Sequence, residues 1–75
     1  MTTYEEMKNL AGVAKAAQWS SEAQITAENL FYDLLEDNLD EDKLYMFEVY
    51  SLKATVDERL DFGLKLFREN TNDVQ

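Results

Sequence analysis

Apolar residues recur along this chain with the period of an α-helix. Met7, Leu10, Ala11, Ala14 and Ala17 fall at i, i+3, i+4 spacing and predict a first helix over about 4–18. Thr3 with Glu6 matches a capping box at its start, where a hydroxyl and a carboxylate satisfy free backbone N–H groups. Most of this stripe is alanine, so the helix can approach a neighbour closely while burying little area. After a joint at 19–21, Ser21 with Gln24 repeats the capping pattern. Ala23, Ala27, Leu30, Phe31, Leu34 and Leu35 then form the stripe of a second helix over about 22–37. Ile25 and Tyr32, seven residues apart, stand on its polar side among Glu22, Asn29, Asp33 and Glu36.

Asn38 with Glu41 offers a third cap, and Asp40, Glu41 and Asp42 fall in a first turn, where the helix dipole favours negative charge. Beyond it, Tyr45, Val49, Leu52, Val56, Leu60, Gly63 and Phe67 advance by three or four residues in one unbroken phase, which predicts a single long helix over about 40–69. Thr55 with Glu58 forms a competing internal cap that would split the segment near Ala54; the unbroken phase favours one helix. With no proline and only two glycines, the chain lacks the punctuation of strands and turns. The expected fold is all-α: a three-helix arrangement whose long third helix forms an antiparallel hairpin with the second. Gly63 lies in the stripe, so a neighbouring helix is expected against its bare backbone. Before Val56 that helix is apolar almost all round. Met46, Phe47 and Tyr50 lie off the stripe and are expected to be buried by a second copy in a symmetric homodimer.

Length and composition narrow the reading. Seventy-five residues make a single domain, 1–75, whose small core is only marginally stabilising alone. An apolar content of 45% is too high for a chain that stays disordered. The formal charge of -9 is concentrated: residues 16–42 hold eight acids and no Lys or Arg, whereas the remainder is nearly neutral. Such a stretch repels itself, which points to a partner protein with a basic surface. The candidate contact residues are Glu28, Tyr32, Asp33, Glu36, Asp37, Asp40, Glu41 and Asp42.

Reactive chemistry has little to work with. The chain contains no cysteine and no histidine, which removes thiolate chemistry, disulfides, the commonest general base and the commonest metal ligand. Ser20, Ser21, Ser51, Thr26 and Thr55 have no activating partner at a recognisable spacing, and no Gly-rich loop is present to cradle a phosphate. A non-enzymatic protein without a cofactor is expected. Residues 37–48 place Asp37 and Glu48 at the first and last positions of an EF-hand loop, but Leu39 stands where an oxygen ligand is needed and Asp42 where glycine makes the turn. No specific metal site is expected, and a divalent-ion-binding helical protein is the most distant alternative.

Direct nucleic-acid binding is opposed by the charge, since phosphate contacts require Lys and Arg clusters. The inverse is the closer alternative: the carboxylates of 28–42 as a mimic of nucleic acid that inhibits a host nuclease or defence complex of the anti-restriction or anti-CRISPR type. The acidic N-terminus lacks the basic start and apolar stretch of a signal peptide, and no apolar run approaches the ~18 residues of a membrane span. A cytoplasmic protein without membrane association is therefore expected. Residues 34–69, with the acidic joint 38–42, the aromatic-rich helix and the ending Asp61-Phe62-Gly63-Leu64-Lys65-Leu66-Phe67, resemble small uncharacterised helical proteins of phages and mobile elements of Gram-positive bacteria. Phe67 stands where a second glycine is common in their final helix. The resemblance implies a helical hairpin with a close helix contact at Gly63.

Overall fold

A computed structural model describes the backbone of residues 2–72 and the side chains of residues 2–70, and among the described residues it holds four helices, α1 (Thr3–Ala16), α2 (Glu22–Asn38), α3 (Glu41–Ser51) and α4 (Val56–Asn72). No strand occurs among the described residues. The expected three-helix arrangement is thus overturned: the long third helix is two helices, joined by a turn at 52–55. Its cause is the capping box that the apolar phase had outweighed. The Glu58 N–H donates to Thr55 Oγ1 at 3.2 Å, and the Thr55 N–H donates to Glu58 Oε1 at 2.9 Å. Upstream, α3 closes through tightening i→i−3 bonds, from Leu52 N–H to Val49 O and from Lys53 N–H to Tyr50 O, both 3.3 Å.

The continuous stripe therefore does not mark one seam. Its second half, Leu60, Gly63 and Phe67, is buried, whereas Tyr45, Val49 and Leu52 are exposed. In α3 the inward positions are instead Phe47, which is 6% exposed, with Leu44 and Ser51 half-buried beside it. Nor does the third helix pair with the second as a simple hairpin. The core is built where α1, α2 and α4 meet, and α3 rests mainly on α4.

Capping fixes the other ends, with two shifts from expectation. The first box is Thr2 with Glu5, one residue earlier than Thr3 with Glu6: the Glu5 N–H donates to Thr2 Oγ1 at 3.1 Å and the Thr2 N–H to Glu5 Oε1 at 3.0 Å. At α3 the cap is Asp40, whose Oδ1 accepts from the Lys43 N–H at 2.9 Å. Asn38 belongs to α2 and turns back to donate to Leu34 O at 2.7 Å. Ser21 caps α2 as expected, accepting from the Gln24 N–H at 3.2 Å. Gln24 does more than close a box. Its Oε1 accepts from the Ser20 N–H at 2.8 Å and its Nε2 donates to Ala14 O at 3.3 Å, so one buried amide joins the end of α1 to the start of α2. This holds Ser20 in the left-handed region, φ 65°, which non-glycine residues seldom adopt.

The core follows from small residues set against large ones. Ala11 and Ala14 of α1 let that helix approach, while Met7, Phe31, Leu35, Leu60 and Leu66 fill the interior. A close approach between α4 and α2 occurs at Gly63, as the stripe implied. A Cβ there would lie 2.6 Å from Phe31 Cε1, 2.9 Å from Phe31 Cζ and 3.1 Å from Leu35 Cδ1. The Phe31 ring is itself fully buried and has little room to retreat.

Two stability predictions follow from these contacts. Gly63→Ala gains about 1 kcal/mol of helix propensity but drives a methyl into the Phe31 ring at a cost of about 1–3 kcal/mol. We therefore expect net destabilisation in urea unfolding, partly reversed by pairing it with Phe31→Leu; a stabilised single variant would contradict the packing. Thr55→Ala removes the cap that starts α4 and should cost about 1 kcal/mol. An unchanged unfolding midpoint would mean that the turn at 52–55 does not depend on the box.

Candidate protein-binding surfaces

The eight candidate contact residues take up three different positions in the fold. Glu28 and Tyr32 face the other helices. Glu28 Oε1 accepts from Arg59 Nη2 of α4 at 2.9 Å, with both side chains part-buried, so its charge is neutralised within the molecule. The Tyr32 hydroxyl donates to Glu48 Oε2 of α3 at 2.6 Å, and its ring lies 6.0 Å from that of Phe47. Asp40 is the α3 cap. The remaining five, Asp33, Glu36, Asp37, Glu41 and Asp42, are exposed, on a stretch of chain with no cation between Lys15 and Lys43.

Of the three candidate self-association residues, Phe47 lies in the core, while Met46 and Tyr50 are exposed. Tyr50 also packs against Phe62 of α4 with ring centroids 4.3 Å apart. The outward side of α3 is broader than those three residues. Tyr45 is 67% exposed and Leu52, the cap that follows the helix, is 83% exposed; with Met46, Val49 and Tyr50 they put five large apolar side chains in solvent alongside the exposed Glu41, Asp42 and Glu48. Single exposed apolar residues are ordinary, but five within eight residues of chain are of the kind that marks an interaction site.

A second apolar surface was not legible as such. Leu30 and Leu34 of the α2 stripe line a groove with Leu10 and Val13 of α1, Leu34 half-buried against the core. Val13 and Leu30 are 51% and 49% exposed. The signal was the width of the α2 stripe: Ala27, Phe31 and Leu35 already supply a core face, so Ala23 and Leu30 fall outside it and Leu34 stands at its edge.

A cavity of about 290 Å³ lies between α2, α3 and α4, lined by the Glu28–Arg59 pair, Tyr32, Glu48 and Ser51 among others. Hydrogen bonding to the Glu48 carboxylate, with burial and the charges of Glu48 and Glu36, pushes the Tyr32 phenol up to about 12. Its proton is held more tightly, the opposite of activation as a nucleophile. Among the described residues no group of three or more acids is placed to hold a metal ion, and residues 37–48 form no loop, being helical except at Leu39 and Asp40. No helix among them is long and apolar enough to cross a membrane. Comparison with protein-family models, with curated proteins and with solved structures yields no match to this chain.

The phenol offers a direct check on how α3 is attached. Because the folded state favours the neutral phenol, its stabilising bond to Glu48 is fully present below the ordinary phenol range near 10 and is lost as pH rises through about 12. Ultraviolet titration should show one tyrosine ionising near 12, and Glu48→Gln should bring it down towards the ordinary range. Four tyrosines titrating alike in the intact protein would contradict the Tyr32–Glu48 contact.

Proposed function

We propose that this chain is a non-enzymatic, protein-binding adaptor or modulator that engages a basic surface of a partner. The observation that carries the reading is the set of exposed carboxylates Glu36, Asp37, Glu41 and Asp42 about the α2–α3 joint. They contribute nothing to the core, and with Lys43 the one cation beside them in the sequence their mutual repulsion is a cost that a basic partner relieves. Asp40 stands apart because its carboxylate is committed to the α3 cap.

The reading includes a second copy of the chain, seated on the outward side of α3. Two such helices packed antiparallel about a two-fold axis would cover Tyr45, Met46, Val49 and Leu52. Phe47 takes no part, since the monomer already buries it.

Light scattering of the purified protein should give about twice 8.7 kDa, reverting to the monomer mass in Met46→Glu/Val49→Glu. A monomeric wild type would remove the second copy from the reading. For the basic partner, Glu36→Gln/Asp37→Asn/Glu41→Gln/Asp42→Asn should keep its helical circular dichroism and weaken binding of the protein that the wild type captures. The loss should be greatest at low ionic strength and shrink towards ~1 M salt, where the Debye length falls to about 3 Å. Undiminished binding by this variant at low salt would overturn the proposal.

A further inference from the structure

α1 and α2 pack together through Met7, Ala11, Ala14, Ala27 and Phe31, and part on the side away from α4. The floor of the parting is apolar, made by Leu10, Val13, Ala23, Leu30 and Leu34. Its edges carry Glu6, Glu22 and Asp33. The cations of α1 do not reach it: Lys15 is paired with Asp61 of α4, and Lys8 lies 5.7 Å from the Tyr4 ring, which itself stacks on Phe67 of α4. α2 contains no cation at all. The groove therefore combines an uncovered apolar floor with a charged rim of one sign.

We propose that the groove between α1 and α2 receives an amphipathic helix of a partner protein, its apolar stripe on the Leu10–Val13–Leu30–Leu34 floor and its flanking Lys or Arg residues on Glu6, Glu22 and Asp33. The dimensions suit a helix. Residues 23–34 of α2 span about 17 Å at 1.5 Å per residue, three turns, enough for apolar anchors at i, i+3 or i+4, and i+7. Charge selects the occupant. A second copy of this chain offers no helix with basic flanks, since the cations of α4, Arg59, Lys65 and Arg68, are interspersed with Asp57, Glu58, Asp61 and Glu69. The inference rests on the reading of the chain as an acidic protein-binding module, but it assigns the recognition to a different set of carboxylates.

The probe is a fluorescein-labelled model helix of leucine and lysine at helical spacing, with a leucine–glutamate counterpart as control. Anisotropy at low salt should show binding of the lysine peptide alone, and amide shifts in the protein should concentrate at Glu6, Leu10, Val13, Leu30 and Asp33. Val13→Glu/Leu30→Glu, both at exposed positions, should lower affinity at least about tenfold, and Glu6→Gln/Asp33→Asn should lower it while reducing its salt dependence. The four-residue variant at the α2–α3 joint should bind the peptide as the wild type does. Peptide binding that survives Val13→Glu/Leu30→Glu but is lost in the joint variant overturns the groove and leaves the acidic-module reading standing. Failure of the lysine peptide to bind at low salt, or equal binding of the glutamate peptide, overturns both.

Discussion

At Gly63 the backbone of α4 lies against the Cε1 and Cζ atoms of the Phe31 ring, and the placing of the other helices depends on that approach. With no side chain at 63, α4 comes close enough to α2 for Leu60, Leu66 and Phe67 to join Phe31 and Leu35 in one core. Ala11 and Ala14 then allow α1 to close against the same core. Three helices are satisfied by these contacts alone. The fourth, α3, is attached at fewer points: Phe47 inserted towards the core, Tyr50 against Phe62, and the Tyr32–Glu48 hydrogen bond. The result is a flattened body, 36 × 30 × 16 Å across its Cα atoms, too thin to cover both sides of every helix.

That thinness explains where the apolar residues remain outside. Closing on α4 uses one face of the α1–α2 pair and leaves the other as a groove. Breaking the chain at 52–55 folds α3 back, so that Tyr45, Val49 and Leu52 face solvent and not a seam. Acidic residues border both surfaces, yet not all acids in the 16–42 stretch are alike. Glu28 balances Arg59, Asp40 caps α3, and the others stay in water. The charge asymmetry along the chain thus divides between fold and surface.

The helical class, the first two helices and the close contact at Gly63 were legible because each is written in neighbouring residues: stripes at helical spacing, Ser21 with Gln24, a glycine in an apolar phase. The break in the third helix was written there too, in Thr55 and Glu58. It conflicted with a phase that records spacing but not which face is covered, and the cap, worth about 1 kcal/mol, prevailed because no core lay opposite the first half of the stripe. Long-range pairings were not legible. Glu28 and Arg59 lie 31 residues apart, and Tyr32 and Glu48 are 16 apart across a turn. The choice of Asp40 over Asn38 as the cap depended on whether α2 ran one residue further, which local composition does not decide.

Proton NMR of Gly63 tests the account most directly. With an α-hydrogen directed at the Phe31 ring, at the position where a Cβ would lie 2.6 Å from Cε1, that resonance should be displaced by the ring current from the ordinary glycine range and show strong cross-peaks to the Phe31 ring protons. An unshifted pair of glycine α-hydrogens without ring contacts would mean that α4 does not close on α2 there. The core of α1, α2 and α4, and with it the separation of the groove from the α3 surface, would then have to be abandoned.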